Sequence, residues 1–273
     1  MKVTVLAENT AQHGSLEAEH GLSMLVEAGD TVLLFDTGCG EMFIRNAEKL
    51  GVDLSRVTHL VLSHGHYDHA GGIPTFLRVN AQAKVYLKKA AFTPAYATRA
   101  GGKAEFIGVP PGIEGSPRVV FATDGMEIAQ GVTLYSDFVN DEPVPETNRG
   151  LLTEHDGELV PDAFAHEQVA EVREGGKALL LTACSHHGIG NILRNYHEKT
   201  GRWPDAIIGG FHLLSHTDGP AAAHVLDAAA AAIAQSGAAA YTCHCTGEAS
   251  LKGLQARLGG QVRGLSGGQT LVF

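Results

Sequence analysis

His64-Gly65-His66-Tyr67-Asp68-His69 sets three imidazoles and a carboxylate within six residues, directly after the apolar run His59–Ser63. Neutral imidazole and carboxylate are the ligands that suit zinc, iron or manganese. A catalytic site needs several of them on one rigid support with a coordination position left open. In an extended segment residues two apart project to the same side, so His64 and His66 are expected to grip one ion together. Asp68 and His69, after a turn, are better placed to reach a second. A polar loop that happens to be rich in histidine is the competing account, but it gives no reason for the cluster to follow a buried-strand pattern. The stretch predicts a metal site for two ions at the end of a strand.

The chain on either side supplies a frame for such a site. Strand patterns fall at Lys2–Ala7, Ser23–Ala28 and Thr31–Phe35, with Gly29-Asp30 as a hairpin turn between the last two. A helical stretch, Glu41–Leu50, stops at Gly51. After the hexapeptide, Gly71-Gly72 is expected to let the backbone pass close to the metals, followed by a short helix led by Pro74 and a strand at Lys84–Leu87. Ala95–Ser116, rich in Gly, Pro and Ala without a period, reads as an irregular insertion beside the site. Arg118–Ala122, Glu127–Ala129 and Val132–Phe138 read as strands of a second sheet, and Asp141–Gly150 as another loop. Val169–Arg173 pairs with Lys177–Ala183 around Gly175-Gly176. Helices near Ile189–Lys199, Ala221–Gln235 and Glu248–Leu258 then alternate with strands Asp205–Ile208, Ala238–Thr242 and Thr270–Phe273. Strands in both halves with helices interspersed predict an αββα sandwich, two sheets face to face with helices outside. One domain over residues 1–273, made of two similar halves, is the expected organisation.

Ser63-His64-Gly65-His66-Tyr67-Asp68-His69-Ala70-Gly71-Gly72 resembles the signature of the metallo-β-lactamase superfamily, whose members are mostly two-metal hydrolases. Glu8-Asn9, Glu19-His20-Gly21-Leu22-Ser23, Phe35-Asp36-Thr37-Gly38, Cys184-Ser185-His186, Gly209-Gly210-Phe211-His212-Leu213 and His244-Cys245-Thr246-Gly247 together resemble one subgroup, the dihydropterin-ribofuranosylaminobenzene-phosphate synthase-like metallohydrolases. The resemblance implies that the later ligands follow apolar strands. His186 is then expected as the third imidazole on the first metal and His244 as the last ligand on the second. The strand end before His186 is where the superfamily usually places a bridging aspartate, and here Cys184 stands, as thiolate ligand or as small core residue. By strand alternation Cys243 and Cys245 face away from His244 and are expected to pack. His212 either ligates directly or gives a proton or hydrogen bond to the substrate. Asp36 matches the superfamily's early aspartate, expected to accept the far N–H of a ligating imidazole. His20 and Glu19 belong to the subgroup pattern as pocket residues. Asn9, Glu146, Asp162 and Glu167 occupy subgroup positions without assigned chemistry. His187 is expected to be solvated or helix-capping, and His13, His59, His155, His166, His197, His216 and His224 to be surface or packing residues.

Composition narrows the function. A formal charge of −10 repels nucleic acid and anionic lipid, which points to a small-molecule partner, phosphorylated or not. No apolar run reaches the ~20 residues of a membrane span. Met1-Lys2-Val3-Thr4-Val5 reads at once as a strand rather than a secretory segment, and Cys39, Cys184, Cys243 and Cys245 make no staple pattern, so a cytoplasmic, reduced setting is expected. The leading expectation is a zinc-dependent hydrolase, manganese or iron being the other metals the ligand types admit. Its metal-bridging hydroxide would attack a small phosphoester or cyclic ester, with Asp68 orienting the nucleophile and His212 protonating the leaving group. The subgroup resemblance implies an alternative, a synthase or transferase of pterin metabolism, for which Arg78, Arg99, Lys103 and Arg149 are candidate phosphate-binding residues. A non-catalytic, metal-stabilised binding protein is the third.

Overall fold

The computed structural model describes residues 1–99, 101–215 and 219–273. Two seven-stranded sheets form its centre. The first runs, edge to edge, Thr270–Val272, Lys2–Ala7, Ser23–Ala28, Thr31–Phe35, His59–Val61, Lys84–Leu87 and Val119–Phe121. The second runs Val262–Gly264, Ala239–Thr242, Ala206–Gly209, Lys177–Leu181, Val169–Glu174, Val132–Tyr135 and Met126–Ala129.

The two-residue period of the strands sorts their side chains into layers. Val3, Val5, Met24, Val26, Leu33 and Phe35 of the first sheet meet Leu134, Val172, Leu179, Leu181 and Ile208 of the second in the central core. The intervening Leu6, Leu25, Leu34 and Leu60 face the other way, onto Phe43, Ala47, Ile73 and Phe76 of helices Met42–Lys49 and Ile73–Val79. On the far side Leu180, Ile207 and Ala240 pack against helices Ile189–Thr200, Ala223–Ser236 and Glu248–Leu258. The order is therefore helix, sheet, sheet, helix, the αββα sandwich expected from the sequence.

Strand direction decides where chemistry can gather. Thr31–Phe35, His59–Val61, Lys84–Leu87 and Val119–Phe121 are mutually parallel, as are Lys177–Leu181, Ala206–Gly209, Ala239–Thr242 and Val262–Gly264. Parallel neighbours end at the same edge, so the segments that leave them emerge side by side.

Three expectations are corrected. Val119–Phe121 joins the first sheet, not the second, pairing in parallel with Lys84–Leu87. The expected insertion at 95–116 contains two strands, Ala95–Thr98 and Ala104–Phe106, which combine with Leu151–His155 and Glu158–Pro161 into a four-stranded antiparallel sheet. It is two short local hairpins joined by one pairing, Ala95–Thr98 with Leu151–His155, across some 50 residues, and that joining leaves no sign in local composition. Gly71 and Gly72 are needed for a different close approach from the one expected. A Cβ at Gly71 would lie 2.0 Å from the Cys39 carbonyl oxygen, and one at Gly72 2.4 Å from that of Thr37. The glycines let the ligand-bearing turn lie against the Thr37–Gly40 backbone. His216 lies outside the described residues.

Candidate metal centre

The segments that leave the parallel strands bring together two groups of donors. In the first, one ring nitrogen from each of His64, His66 and His186 lies within 4.8 Å of the others, and the Nε2 atoms are the ring nitrogens left over. All three are buried and have no hydrogen-bond partner. A buried polar atom without a partner is costly, and three converging on one point is the pattern that a bound cation relieves. In the second group, His69 Nε2 is 3.2 Å from His244 Nε2. The Asp68 Oδ2 atom lies 3.5 Å from His69 Nε2, 3.3 Å from His244 Nε2 and 3.2 Å from His20 Nε2. Cys184 Sγ stands between the groups, 3.3 Å from His69 Nε2 and within 4.8 Å of donor atoms of His64, His186 and His244.

The far nitrogen of four imidazoles is anchored. His64 Nδ1 is 2.8 Å from Ser63 Oγ, His69 Nδ1 2.7 Å from Asp36 Oδ2, His186 Nδ1 2.9 Å from Asn148 Oδ1 and His244 Nδ1 2.9 Å from Asn9 Oδ1. An imidazole that donates from Nδ1 presents a bare Nε2, so these oxygens select the ligating tautomer and aim the ring. Three buried carboxylates brace the backbone beneath. Asp36 accepts Ser63 N–H and Oγ–H, both at 2.7 Å. Glu167 accepts the amides of His186 at 2.7 Å and His187 at 2.9 Å, and the His187 ring at 2.6 Å. Glu8 accepts the amide of His244 at 2.8 Å. Asp36, Ser185, His212 and His244 hold positive φ angles of 61°, 60°, 48° and 53°. Such conformations are uncommon for residues with a Cβ and persist where surrounding contacts over-determine them.

Electrostatics fits the same picture. Burial holds His64 and His186 well below the ordinary imidazole value, and burial with His166 nearby takes His66 to about 3. These rings are neutral, as ligands must be. Burial alone would raise Asp68, but His69 and hydrogen bonds from His20 and His244 outweigh it and keep the carboxylate ionised. Burial likewise opposes protonation of His69, yet the carboxylates of Asp68 and Asp36 raise it to about 10, so His69 holds a proton that a cation bound there would have to displace. Three neutral imidazoles beside an imidazole–carboxylate set make a nitrogen and oxygen cage of the kind that zinc, manganese and iron accept.

All six expected ligands, His64, His66, Asp68, His69, His186 and His244, thus converge, and Asp36 makes the contact expected of it. His212 joins them: its ring centroid is 4.3 Å from that of His186, and both of its nitrogens are buried without partners. Other expectations fail. Cys245 does not face away from His244, because the strand ends at Thr242 and the chain coils through a short 3-10 turn, His244–Thr246, that brings its sulfur within 4.8 Å of Cys184 and His244 donors. His187 is buried on Glu167 rather than solvated. His166 belongs to the site's support, accepting Gly65 N–H on Nδ1 at 3.1 Å while Nε2 meets Asp162 at 3.1 Å. Asn148 and Ser63 were not anticipated. Nothing in the sequence marks Asn148, whereas Ser63, next to His64, was within reach of spacing arguments.

Both donor groups open onto a cavity of about 130 Å³, whose remaining wall includes Tyr67, Ala97, Arg99, Ile107, Leu151 and Leu214. Arg99 is the one Arg or Lys side chain lining it among the described residues. Arg78 pairs with Glu41 at the surface, Lys103 is exposed, and Arg149 lines a separate cleft. A larger, apolar cavity of about 230 Å³, between the 142–146 loop and helices Ile189–Thr200 and Ala223–Ser236, contains none of the six donors. No helix among the described residues is long and apolar enough to cross a membrane.

Comparison with known proteins agrees with this geometry. An uncharacterised protein of Methanocaldococcus jannaschii is 28% identical, over 79% of this chain and 81% of that one. The 7,8-dihydropterin-6-methyl-4-(beta-D-ribofuranosyl)-aminobenzene-5'-phosphate synthase of the same organism is 27% identical over 78% of each, in line with the subgroup resemblance. A solved structure described as a metal-dependent hydrolase of the beta-lactamase superfamily superposes with a TM-score of 0.85 and 31% identity, covering 100% of this chain and 99% of that one. A metallo-beta-lactamase fold protein of Bacillus subtilis, 14% identical with a TM-score of 0.60 over 99% and 98%, shares the fold. The family described as the Metallo-beta-lactamase superfamily matches residues 16–227. With that match over most of its length and the donor groups at the strand ends, this chain belongs to the metallo-beta-lactamase superfamily.

Proposed function

We propose that the chain is a metal-dependent hydrolase that holds two divalent ions, zinc first among them, and acts on a small phosphoester or cyclic ester. The observation that carries the proposal is the convergence of the partnerless Nε2 atoms of His64, His66 and His186 beside the Asp68, His69 and His244 group. The relative at 31% identity, itself described as a metal-dependent hydrolase, supports it. His64, His66 and His186 would hold one ion, and Asp68, His69 and His244 the other, with Cys184 between them. Bound there, divalent metals supply a water deprotonated near neutral pH and a Lewis acid for a phosphoryl or carbonyl oxygen. The chain's own groups do the rest. Asp68, kept anionic, orients the nucleophile by accepting a hydrogen bond. His212, on the cavity wall, gives the leaving group a proton. Ala97, Ile107 and Leu151 cover the site and exclude bulk water. A second reading, a synthase in pterin metabolism, draws on the name of the M. jannaschii relative.

Metal analysis of the purified protein, followed by a panel of phosphodiester, lactone, β-lactam and thioester substrates with zinc or manganese, tests the proposal. Two equivalents of metal and chelator-sensitive hydrolysis of one ester class, lost in His66→Ala, are expected. Full activity in His66→Ala, or after exhaustive chelation, would rule the mechanism out.

A further inference from the structure

The cavity in front of the donor groups is asymmetric. Its floor is the histidine cage; its outer wall is apolar, from Ala97, Ile107, Leu151 and Leu214, and is broken by one guanidinium, that of Arg99. The guanidinium is partly exposed and its Nε–H already meets Glu105 Oε2 at 2.8 Å, which leaves its remaining N–H groups for an anion in the cavity. On a chain of net charge −10 it is also a local exception to the surrounding field.

The fold aims this guanidinium. Arg99 follows strand Ala95–Thr98 of the four-stranded sheet, and its amide donates to the Lys103 carbonyl at 2.8 Å, closing the turn. That sheet is fastened to the site: Tyr67 N–H donates to the Ile107 carbonyl at 2.8 Å, and Tyr67 packs with Ala95, Ala97 and Ile107. The Arg99 Nε–H goes to Glu105 Oε2 at 2.8 Å, and a further N–H bonds the Tyr67 side chain. A guanidinium carries five N–H donors, so about three remain for a ligand. Tyr67 lies between His66 and Asp68, which ties the position of Arg99 to the cage.

We propose that Arg99 is the specificity-determining residue of this cavity, and that the substrate carries a second oxyanionic group, carboxylate or phosphate, joined by a short apolar segment to the bond that reacts at the cage. The choice of reacting bond rests on the hydrolase reading above; the anion contact does not. Arg99 presents paired N–H groups suited to a two-oxygen anion, and the apolar wall takes the segment between.

Equilibrium binding to the zinc-loaded full-length protein tests this with phenylphosphonate, 4-carboxyphenylphosphonate and 1,4-phenylenebisphosphonate. The added anion should tighten binding ~10-fold, the low end for a charge-assisted bond because Arg99 is 35% exposed and shared with Glu105. In Arg99→Ala the ratio of the two affinities should fall to near one, whatever the change in phenylphosphonate affinity itself, and Arg99→Lys should keep part of the ratio. Whichever second group gains more, carboxylate or phosphonate, identifies the anion. A ratio near one in the unmodified protein overturns the proposal without any variant, and so does a ratio that survives in Arg99→Ala. Failure of the hydrolase reading is distinguishable, since it would appear as no turnover of any ester while the binding ratio stayed intact.

Discussion

Asp36→Asn is the most informative single change, because Asp36 bonds His69 of one donor group directly and reaches His64 of the other through Ser63. Its fully buried carboxylate accepts three bonds of 2.7 Å, from Ser63 N–H, Ser63 Oγ–H and His69 Nδ1–H. Asparagine keeps the volume and tolerates the φ of 61°, and its oxygen can still take the Ser63 amide. Its NH2, a donor, then stands where His69 and the Ser63 hydroxyl need an acceptor. His69 must invert its tautomer or lose a charge-assisted bond, at ~1.5–3 kcal/mol, or ~10–100-fold in metal affinity at the Asp68, His69 and His244 group. The Ser63 hydroxyl, released from Asp36, can turn to donate to His64 Nδ1 2.8 Å away. That would protonate His64 Nε2 and weaken the other group by ~1 kcal/mol, about five-fold. Competition against a chromophoric chelator resolves two affinities, and nitrogen NMR of the imidazoles reports the tautomers. Loss at both ions, unequal in this sense, is expected, whereas Asn9→Ala should weaken only the His244 side. If Asp36→Asn binds both equivalents as tightly as the unmodified protein, Asp36 does not set the tautomers and the reasoning fails.

Three other outcomes follow from the same structure. Gly71→Ala should destabilise by ~3 kcal/mol or more, seen as a lowered urea midpoint, because its Cβ would sit 2.0 Å from a backbone oxygen that cannot move away; an unchanged midpoint would mean the turn can shift. Glu167 is held below the ordinary glutamate value, since His187 and the two amides outweigh burial. A depressed carboxyl contributes stability that is complete above about pH 4.5 and drains as pH falls through the folded value. Stability against pH should therefore decline more gently on the acid side for Glu167→Gln than for the unmodified protein, and parallel curves would contradict that. Burial, with the charges of Asp68 and Glu19, pushes the half-buried Cys39 thiol up to about 12, so Cys39 should resist iodoacetamide at pH 8 in the native protein; rapid labelling there would show an accessible thiolate.

The expected ligand positions converge in part because local rules place them. A strand alternates its side chains, and His64 and His66 two apart cannot avoid sharing a side. His186, His212 and His244 each follow an apolar strand, and parallel strands end on one edge, so the sandwich itself delivers them to the hexapeptide. Local rules fail where the chain leaves a strand. Alternation misplaced Cys245 because the strand ends before it, and composition missed the sheet over the site because its two short hairpins join across some 50 residues.

The sequence by itself determined the αββα frame and the donors of the hexapeptide, since periodicity and spacing are properties of short segments, while His186 and His244 were expected through the family resemblance. Only the tertiary structure decided what aims those donors. Glu8 lies 236 residues from His244, and Asn148 lies 38 from His186. The left-handed turns at Ser185, His212 and His244 are imposed by such contacts, against the preference of the residues themselves. An acceptor becomes specific to one imidazole only when packing closes the distance between them, and no stretch of sequence records that closure.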